Sequence, residues 1–473
     1  MFFVIKFKRK ILQWPMETKT FTINRRHFLK GTFASLVLSS FGVYGFDLMH
    51  PIKPYRVGLI GTGWYGKSDL FRLMQVTEVE VVCLCDVDQR QLKEAADLIQ
   101  QRKPNHKRPQ LYGNYETMLS KHELDIVLIG TPDHWHALQA IAALEAGAHV
   151  YLQKPISVDV IEGEAVVAAA SKYNKVIQVG LQRRNTPHLL EAKKNIVDAG
   201  LLGEIAHVEM NCYYPMRSSA NPPLQEVPDY FDYEQWTGPA PLRPYDGLPH
   251  RGWWRAFMEY GNGIMGDMCV HMFDAARWML DLGWPQRISS QGGIYVQNSG
   301  KSNIADTQTA VFEYENLNCI WQHRTWGTPV DKEYPWAFKI FGSKGTLAGS
   351  PMQYDFIPNG EGKKIHKNCL YEREQYPEDL TEKNIELHAA PATRLHMLDF
   401  LKAIEEKNLP AASVLEGHRS TASCILANIA MDLGRPLAYD PENRIVIDDA
   451  EATQRLQRPY RVAWKHPKPE DFS

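Results

Sequence analysis

Gly61-Thr62-Gly63-Trp64-Tyr65-Gly66 is the stretch that decides the fold of this 473-residue chain. The apolar run 55–61 enters it as a predicted strand, and the residues through Val76 predict a helix. In such a unit the first glycine permits a tight turn, the second admits a pyrophosphate, and the third allows close helix–strand packing. The helix N-terminus presents unpaired N–H groups to the phosphates. The stretch therefore predicts a dinucleotide-binding turn that includes Gly61, Gly63, Trp64, Tyr65 and Gly66.

Asp86 supports this interpretation and indicates the type of nucleotide. It follows the predicted strand Val79–Cys85 and stands twenty residues beyond Gly66. A carboxylate at this position binds the ribose hydroxyls and repels a 2′-phosphate. The sequence therefore favours NAD over NADP.

The order of predicted elements indicates an α/β protein with two different sheets. Strands and helices alternate to about residue 180, which predicts a doubly wound parallel sheet. Strand-like runs then dominate and predict a larger open, mainly antiparallel sheet, followed by amphipathic helices at 393–406 and 413–433. The expected parts are a signal and linker (1–50), a nucleotide-binding domain (51–180), a substrate and oligomerisation domain (181–440) and a tail (441–473).

The N-terminus predicts export. Asn24-Arg25-Arg26-His27-Phe28-Leu29-Lys30 matches a twin-arginine (Tat) signal, and the apolar run that follows is short for a membrane span. This predicts the Tat translocon as a transient partner and a periplasmic location. No Ala-x-Ala cleavage site is evident, so an uncleaved N-terminal anchor stays open. Met1 and Met16 both stay open as the start of the chain.

Charge and cysteine usage exclude several classes of protein. Residues 1–50 carry a net charge of +6 and the whole chain −2, so the remainder carries −8. A mildly acidic protein without a basic stripe is not expected to bind nucleic acid. The seven cysteines match no zinc motif, and a chain exported after folding favours free, buried thiols.

Lys154 is the first catalytic candidate. It follows the predicted strand His149–Leu152, and ligand sites gather at the carboxyl ends of strands in such sheets. An ammonium group there could polarise a substrate oxygen beside the nicotinamide.

Asp267 and His271 form the second candidate group, in the glycine-rich segment 260–274. If the segment is helical from Met265, their spacing places both side chains on one helix face. Histidine suits proton transfer because its pKa lies near neutral pH. A purely structural hydrogen bond between the two residues is the alternative.

Two further features have structural explanations as well as functional ones. His134 and His136 invite a metal-site interpretation, but no third ligand is placed, so no metal is expected. The insert 215–255 is rich in proline and aromatic residues and is expected to be ordered at the site. Aromatic side chains in and just before this insert suit stacking on a sugar, although core packing explains them equally well. These residues are Tyr213, Tyr214, Trp236, Trp253 and Trp254.

Together these residues resemble the Gfo/Idh/MocA oxidoreductase family, over roughly residues 55–435. The motifs that carry the resemblance are Gly61–Gly66, Asp86, Thr131-Pro132-Asp133-His134-Trp135-His136, Gln153-Lys154-Pro155, Gly180-Leu181-Gln182-Arg183-Arg184 and Gly266-Asp267-x3-His271. The family's usual Glu-Lys-Pro is Gln153-Lys154-Pro155 here, which removes a charge beside the nicotinamide ribose.

The resemblance implies a Rossmann domain joined to an α/β domain whose open sheet often mediates homo-oligomerisation. It implies Lys154 as the catalytic lysine, His271 as the acid/base and Asp267 as the partner of His271 in substrate binding. The cofactor site it implies adds Thr131, Pro132, His136, Gln153, Lys154 and Gln182 to the glycine turn. The substrate site it implies comprises Lys154, Arg183, Tyr260, Asp267 and His271.

Three functions follow from this resemblance and the export signal. The preferred hypothesis is an NAD-dependent oxidoreductase acting on a hydroxyl of a sugar or glycoside, such as C3, with a tightly bound cofactor recycled in place. The first alternative is a redox-neutral NAD-dependent glycosidase, which oxidises the sugar transiently, eliminates the aglycone and reduces the sugar again. The third is a sugar-binding protein without turnover.

Overall fold

The structure is a computed structural model that describes residues 53–214, 217 and 219–473. The predicted export signal and linker therefore lie outside the described residues. In the described part of the chain, no helix has the length and apolar character needed to cross a membrane.

The first sheet contains six parallel strands in the order β3-β2-β1-β4-β5-β6, which confirms the doubly wound prediction. The order reverses between β1 and β4, and a ligand crevice forms at such a reversal, at the carboxyl ends of the strands. The strands are β1 (Tyr55–Ile60), β2 (Val79–Cys85), β3 (Gln110–Tyr112), β4 (Ile126–Ile129), β5 (His149–Leu152) and β6 (Ile177–Val179).

Five α-helices connect or follow these strands. Three of them begin at an acidic or amide N-cap: Asp88, Asn114 and Asp159 each accept a hydrogen bond from a backbone N–H of the first turn. The last helix was not predicted, because its alanine-rich sequence is apolar on most faces and shows little amphipathic contrast. The helices are α1 (Trp64–Val76), α2 (Gln89–Arg102), α3 (Tyr115–Lys121), α4 (His136–Glu145) and α5 (Val160–Lys172).

The second sheet has eight strands in the order β14-β13-β12-β11-β7-β10-β9-β8. Its pairs are antiparallel except β7 with β10, which run parallel, so the mainly antiparallel prediction is confirmed. The last two strands were not predicted. The strands are β7 (Ile205–Cys212), β8 (Arg287–Gly293), β9 (Thr307–Tyr314), β10 (Leu317–Arg324), β11 (Trp336–Gly342), β12 (Gly345–Gly349), β13 (Gln353–Pro358) and β14 (Ile365–Asn368).

The later helices join the second sheet to the first domain. Helix α9 packs on α1, and α10 packs on both α5 and β8. Three π-helical turns occur among the described residues: Lys193–Val197 after α6, Pro249–Trp253 in the insert, and Met265–Cys269 before α8. These helices are α6 (Pro187–Ala192), α7 (Tyr233–Thr237), α8 (Val270–Met279), α9 (Ala390–Glu406), α10 (Val414–Leu433) and α11 (Ala450–Gln454).

Residues 441–473, predicted as a tail, lie against the first domain. The carboxylate of Asp159, at the start of α5, accepts hydrogen bonds from the backbone N–H of Arg458 (2.9 Å) and from His466 Nε2 (2.8 Å). The Arg458 guanidinium then binds the backbone carbonyls of Met258 and Gly261. The C-terminal segment thus connects α5 to the segment that precedes Asp267.

All seven cysteines are buried and unpaired in the structure, as predicted. Burial raises the pKa of the Cys83 and Cys212 thiols to about 12. Thiols in such surroundings are unreactive, so these cysteines act as small apolar core residues.

Candidate active site

Two adjoining chambers lie at the carboxyl edge of the parallel sheet. The nucleotide chamber, of about 360 Å³, contains the glycine turn, and the substrate chamber, of about 390 Å³, contains Lys154. The two chambers share the side chains of Trp64, Tyr65, Thr131 and Arg255. A ligand that spans both would therefore reach from the glycine turn to the lysine.

The glycine turn has the geometry that a dinucleotide requires. Gly61 has a φ of +84°, which lies in the left-handed region favoured by glycine. A Cβ at Gly66 would lie 2.0 Å from the Gly61 carbonyl oxygen, so only glycine permits this helix–strand contact. At Gly63 a Cβ would meet nothing within 4 Å, which leaves open space where the pyrophosphate belongs.

Asp86 lines the nucleotide chamber and braces the glycine turn. Its Oδ2 accepts hydrogen bonds from the Thr62 backbone N–H (2.7 Å) and hydroxyl (3.0 Å), and its Oδ1 accepts one from the Asp88 N–H (2.9 Å). Burial raises the pKa of this carboxyl above its ordinary value, and these hydrogen bonds oppose the rise.

Asp86→Ala is expected to relax the preference for NAD, because it removes the charge that repels a 2′-phosphate. The ratio of the dissociation constants for NADP and NAD should fall by about tenfold or more, measured by titration of nucleotide-free protein. Thr62→Val is the matched control, since it removes one hydrogen bond to Asp86 but keeps the charge. An unchanged ratio in Asp86→Ala would refute the ribose contact.

The insert covers the nucleotide chamber. Phe231 bridges to Asp88 as an isolated antiparallel pair, and His250 Nε2 lies 3.2 Å from the Asp88 carboxylate. Trp236 and Trp254 line the nucleotide chamber, whereas Tyr214 lines the substrate chamber. The aromatic side chains of the insert therefore pack mainly around the cofactor site, and of the five proposed for sugar stacking only Tyr214 lies in the substrate chamber.

Lys154 and Asp267 form the central ion pair of the substrate chamber. Lys154 Nζ donates to Asp267 Oδ1 at 2.5 Å and to the Asp267 carbonyl oxygen at 2.8 Å. Arg255 Nε donates to the same Oδ1 at 3.2 Å. Burial alone would raise the pKa of Asp267, but Lys154 and Arg255 hold it below the ordinary value. Asp267 is therefore a carboxylate that orients the lysine.

The structural alternative for Asp267 and His271, a hydrogen bond between the two side chains, is not what the structure shows. Among the described residues Asp267 forms no hydrogen bond with His271, because its carboxylate binds Lys154 and Arg255 instead. The cause is local: Asp267 lies in the π-helical turn Met265–Cys269, where residues four apart do not stack as they do in an α-helix. Both side chains still face the substrate chamber.

His271 is buried and neutral. Its Nδ1 has no hydrogen-bond partner among the described residues, and its ring lies edge-on to Trp336 with centroids 5.5 Å apart. Burial lowers the pKa of His271 well below its ordinary value, and the charges of Lys154 and Arg183 lower it further. An uncharged imidazole in this position can accept a proton.

Sequence reasoning missed five ionisable groups of the substrate chamber: Asp133, Arg255, Glu333, Glu386 and His388. Asp133 belongs to the motif Thr131–His136, but no role was predicted for it. Burial raises the pKa of its carboxyl to about 8, although Arg255 and Lys154 oppose the rise. Glu386 and His388 come from a segment between β14 and α9 that has no motif. No local signal in the sequence could have placed these two residues.

The other predicted site residues are divided between the chambers and the core. Thr131 and His136 line a chamber, but both nitrogens of His136 bind backbone carbonyls, of Pro155 (2.6 Å) and Thr131 (2.9 Å). His134 Nε2 likewise lies 3.0 Å from a backbone oxygen, which explains this histidine pair without a metal. Tyr260 is fully buried beside Trp236 and lines neither chamber. Pro132 lines the nucleotide chamber, and Arg183 the substrate chamber.

The structure explains why glutamine, and not glutamate, suits position 153 in Gln153-Lys154-Pro155. Gln153 Nε2 donates to the buried carboxylate Asp69 Oδ2 at 2.7 Å. Burial raises the pKa of Asp69 to about 7, while this hydrogen bond lowers it. Glutamate at position 153 would place two carboxyl groups within hydrogen-bond distance, whereas the amide supplies a donor.

Gln153→Glu is expected to destabilise the protein increasingly as the pH rises through 7, because two adjacent buried carboxyls cannot both ionise. Both acids then have raised pKa values in the folded state, so the stability present at low pH is lost with rising pH. Melting temperatures between pH 5 and 9 measure the effect. Asp69→Asn combined with Gln153→Glu exchanges donor and acceptor and should restore stability; failure of this rescue would refute the explanation.

The fold and the two chambers define a nucleotide-dependent oxidoreductase. Sequence models of the oxidoreductase family with an NAD-binding Rossmann fold match residues 55–181. The GFO/IDH/MocA C-terminal domain matches 190–348, and the oxidoreductase family C-terminal alpha/beta domain matches 353–466. The chain therefore belongs to the GFO/IDH/MocA oxidoreductase family and is an enzyme of that NAD-dependent type.

Several curated relatives are named as glycosidases. A "Glycosyl hydrolase family 109 protein" of Shewanella baltica is 31% identical over 369 residues, which cover 73% of this chain and 78% of the relative. An "Alpha-N-acetylgalactosaminidase" of Shewanella oneidensis is 29% identical over 370 residues, with the same coverage.

Solved structures agree in fold. A myo-inositol 2-dehydrogenase from Lactobacillus plantarum superimposes with a TM-score of 0.58 at 19% identity, covering 82% of this chain and 100% of its own. An oxidoreductase from Agrobacterium radiobacter in complex with NAD+ and L-tartaric acid superimposes with a TM-score of 0.62 at 16% identity, covering 82% of this chain and 98% of its own. At these identities the likeness concerns the fold.

Proposed function

We propose that this enzyme oxidises a hydroxyl of a sugar or glycoside, such as C3, with an NAD molecule that stays bound and is recycled in place. The observation that carries the proposal is the position of Lys154, Asp267 and His271 in a chamber that opens onto the nucleotide chamber. When bound, NAD supplies the hydride acceptor.

The residues of the substrate chamber divide the proton chemistry between them. Lys154, held by Asp267, donates a hydrogen bond to the substrate oxygen and stabilises negative charge that develops on it. His271 lines this chamber and its Nδ1 has no hydrogen-bond partner among the described residues, so its imidazole accepts the hydroxyl proton and can return it. Arg255 supplies a second donor to Asp267, so the carboxylate stays ionised beside the lysine.

Contacts around the insert support tight binding of the cofactor. Besides the Asp88–Phe231 bridge, the Gln89 N–H donates to the Tyr230 carbonyl and the Asp232 N–H to the Val87 carbonyl, both at 3.0 Å. These bonds hold the insert against the loop after β2, which carries Asp86. An insert held in this way restricts motion around the nucleotide chamber, so we expect slow exchange of NAD.

The export signal and the open sheet add two further parts to the proposal. Arg25 and Arg26 support export through the Tat translocon to the periplasm, where free NAD is not expected, so a retained cofactor suits that location. The eight-stranded sheet supports a homo-oligomer, since an exposed sheet face is a common subunit interface. Fractionation and sedimentation of the native protein test these two parts.

A redox-neutral NAD-dependent glycosidase is the second candidate, favoured by the names of the relatives that are about 30% identical. It uses the same chamber and the same residues, and it also regenerates its cofactor in place. The two candidates differ in products: the dehydrogenase transfers electrons to an acceptor, whereas the glycosidase releases an aglycone without net redox change.

The test is purification of the native protein, measurement of NAD released on denaturation, and a screen of sugars and 4-nitrophenyl glycosides with the intact holoenzyme. A dehydrogenase reduces bound nicotinamide with a sugar and reoxidises it with an acceptor. A glycosidase releases nitrophenol without net NADH. A protein that binds sugars but does neither is the non-catalytic sugar-binding protein, and this result would refute the proposed enzyme.

A further inference from the structure

Arg183 is a buried cation without a counter-ion. Its residue is 2% exposed, and in the described ranges its guanidinium forms no ion pair; Nε and Nη1 have no hydrogen-bond partner. The next residue shows the usual arrangement, because Arg184 binds the Asp274 carboxylate through two hydrogen bonds of 2.8 Å. A guanidinium does not lose its proton in proteins, and an unpaired buried charge is costly. Arg183 is therefore poised for an acceptor that the described residues do not supply.

The surroundings of Arg183 are rich in donors that face the substrate chamber. The Tyr65 hydroxyl accepts a hydrogen bond from Gln182 Nε2 at 2.9 Å, which leaves its own hydrogen free to donate. The Tyr214 phenol lines the same part of the chamber. The guanidinium carbon of Arg183 lies 5.3 Å from the centroid of Trp336, a cation–π contact that fixes its position.

Glu386 is the carboxylate whose charge acts on Arg183. It lines the chamber, and its charge influences the pKa of Arg183, but the described contacts contain no ion pair between the two. Glu386 is also partly exposed, so water solvates its carboxylate, whereas Arg183 is sealed from solvent. The balance of burial favours a ligand that brings its own negative charge to Arg183.

We propose that the substrate chamber takes a sugar bearing an oxyanion, and that Arg183 binds this group. The proposal rests on the proposed function, since it names the class of sugar. A carboxylate matches the planar guanidinium through paired hydrogen bonds, and the phenols of Tyr65 and Tyr214 add two donors. A sulfate ester offers the same chemistry and is distinguished experimentally. Lys154 and His271 then act on a hydroxyl elsewhere on the ring.

Calorimetric titration of the NAD-loaded enzyme tests this proposal. The ligands are galacturonate and glucuronate, the neutral sugars galactose and glucose, and galactose 6-sulfate. We expect at least one of the acidic sugars to bind about tenfold or more tightly than its neutral counterpart, the usual effect of a hydrogen bond to a charged group. A uronate preferred over the sulfate identifies the oxyanion as a carboxylate, and the reverse identifies a sulfate ester.

Two variants are expected to change the affinity for acidic sugars in opposite directions. Arg183→Met should remove the preference for the acid, and Glu386→Gln should strengthen acid binding because it removes a like charge. If the two residues instead hold the hydroxyls of a neutral sugar, both variants weaken neutral sugars. Weaker binding of neutral sugars by both variants would overturn the proposal. Equal binding of acids and neutral sugars would also overturn it, as would no binding of any acid. If Arg183→Met fails to fold, Glu386→Gln still tests the proposal, because its affinity for acidic sugars should rise.

This experiment separates failure of the inference from failure of the proposed function. Acid binding that depends on Arg183, without reduction of the bound nicotinamide, supports the oxyanion site and counts against the oxidation. Reduction by neutral sugars that is unchanged in Arg183→Met supports the oxidation and refutes the oxyanion site.

Discussion

Lys154→Ala is expected to lower turnover at least about a hundredfold while NAD stays bound, because it removes the donor aimed at the substrate oxygen. The lysine is held in the substrate chamber by Asp267, because its Nζ donates to the carboxylate at 2.5 Å. The measurement is kcat with the best sugar from the screen, together with the nucleotide released on denaturation.

A matched control removes a lysine from another part of the fold. Lys402→Ala takes a half-exposed lysine from α9, where it pairs weakly with Glu406 at 3.9 Å, and should leave turnover unchanged. Lys154→Ala also leaves Asp267 with only Arg255 as a counter-ion, so its melting temperature should fall. Full activity in a folded, NAD-loaded Lys154→Ala enzyme would exclude the lysine from the chemistry.

His271→Ala is expected to cause a loss of similar size, about a hundredfold or more, with bound NAD retained, because it removes the proton acceptor. The wild-type pH profile supplies an independent check. The pKa of His271 lies well below its ordinary value, so the base form persists as the pH falls through 6.5 and activity is lost only at lower pH.

Two results would contradict this role. One is an activity loss centred near pH 6.5 that persists in His271→Ala, because another group would then be the base. The other is a variant that releases NAD, since His271 would then be part of the nucleotide site. His149→Ala is the control: this histidine accepts a hydrogen bond from the Val176 backbone N–H at 3.0 Å and lines neither chamber, so turnover should remain.

Local sequence rules placed the nucleotide-binding elements of the parallel domain, although they missed α5. The turn Gly61–Gly66, strand β2 and Asp86 were all placed correctly, because each depends on a short-range pattern of glycine, apolar residues and a terminal acid. The carboxyl ends of parallel strands meet at one edge, so the position of Lys154 near the nucleotide followed from the order of strands.

The substrate chamber depends on longer-range contacts that no local pattern records. The Lys154–Asp267 pair joins residues 113 positions apart, and Asp267 lies in a π-helical turn that the sequence pattern did not predict. Glu386 lies in the segment just before α9. Because α9 packs on α1, this segment lies at the substrate chamber. Such placements follow from the tertiary fold.

Rapid mixing of the NAD-loaded enzyme with a sugar from the screen tests the central claim most directly. The account predicts that bound nicotinamide is reduced in the first turnover, seen as reduced-nicotinamide absorbance, and that the nucleotide stays with the protein on gel filtration. A redox-neutral glycosidase shows this signal transiently, and its decay accompanies aglycone release. Turnover without any reduction of the bound nicotinamide would contradict the account.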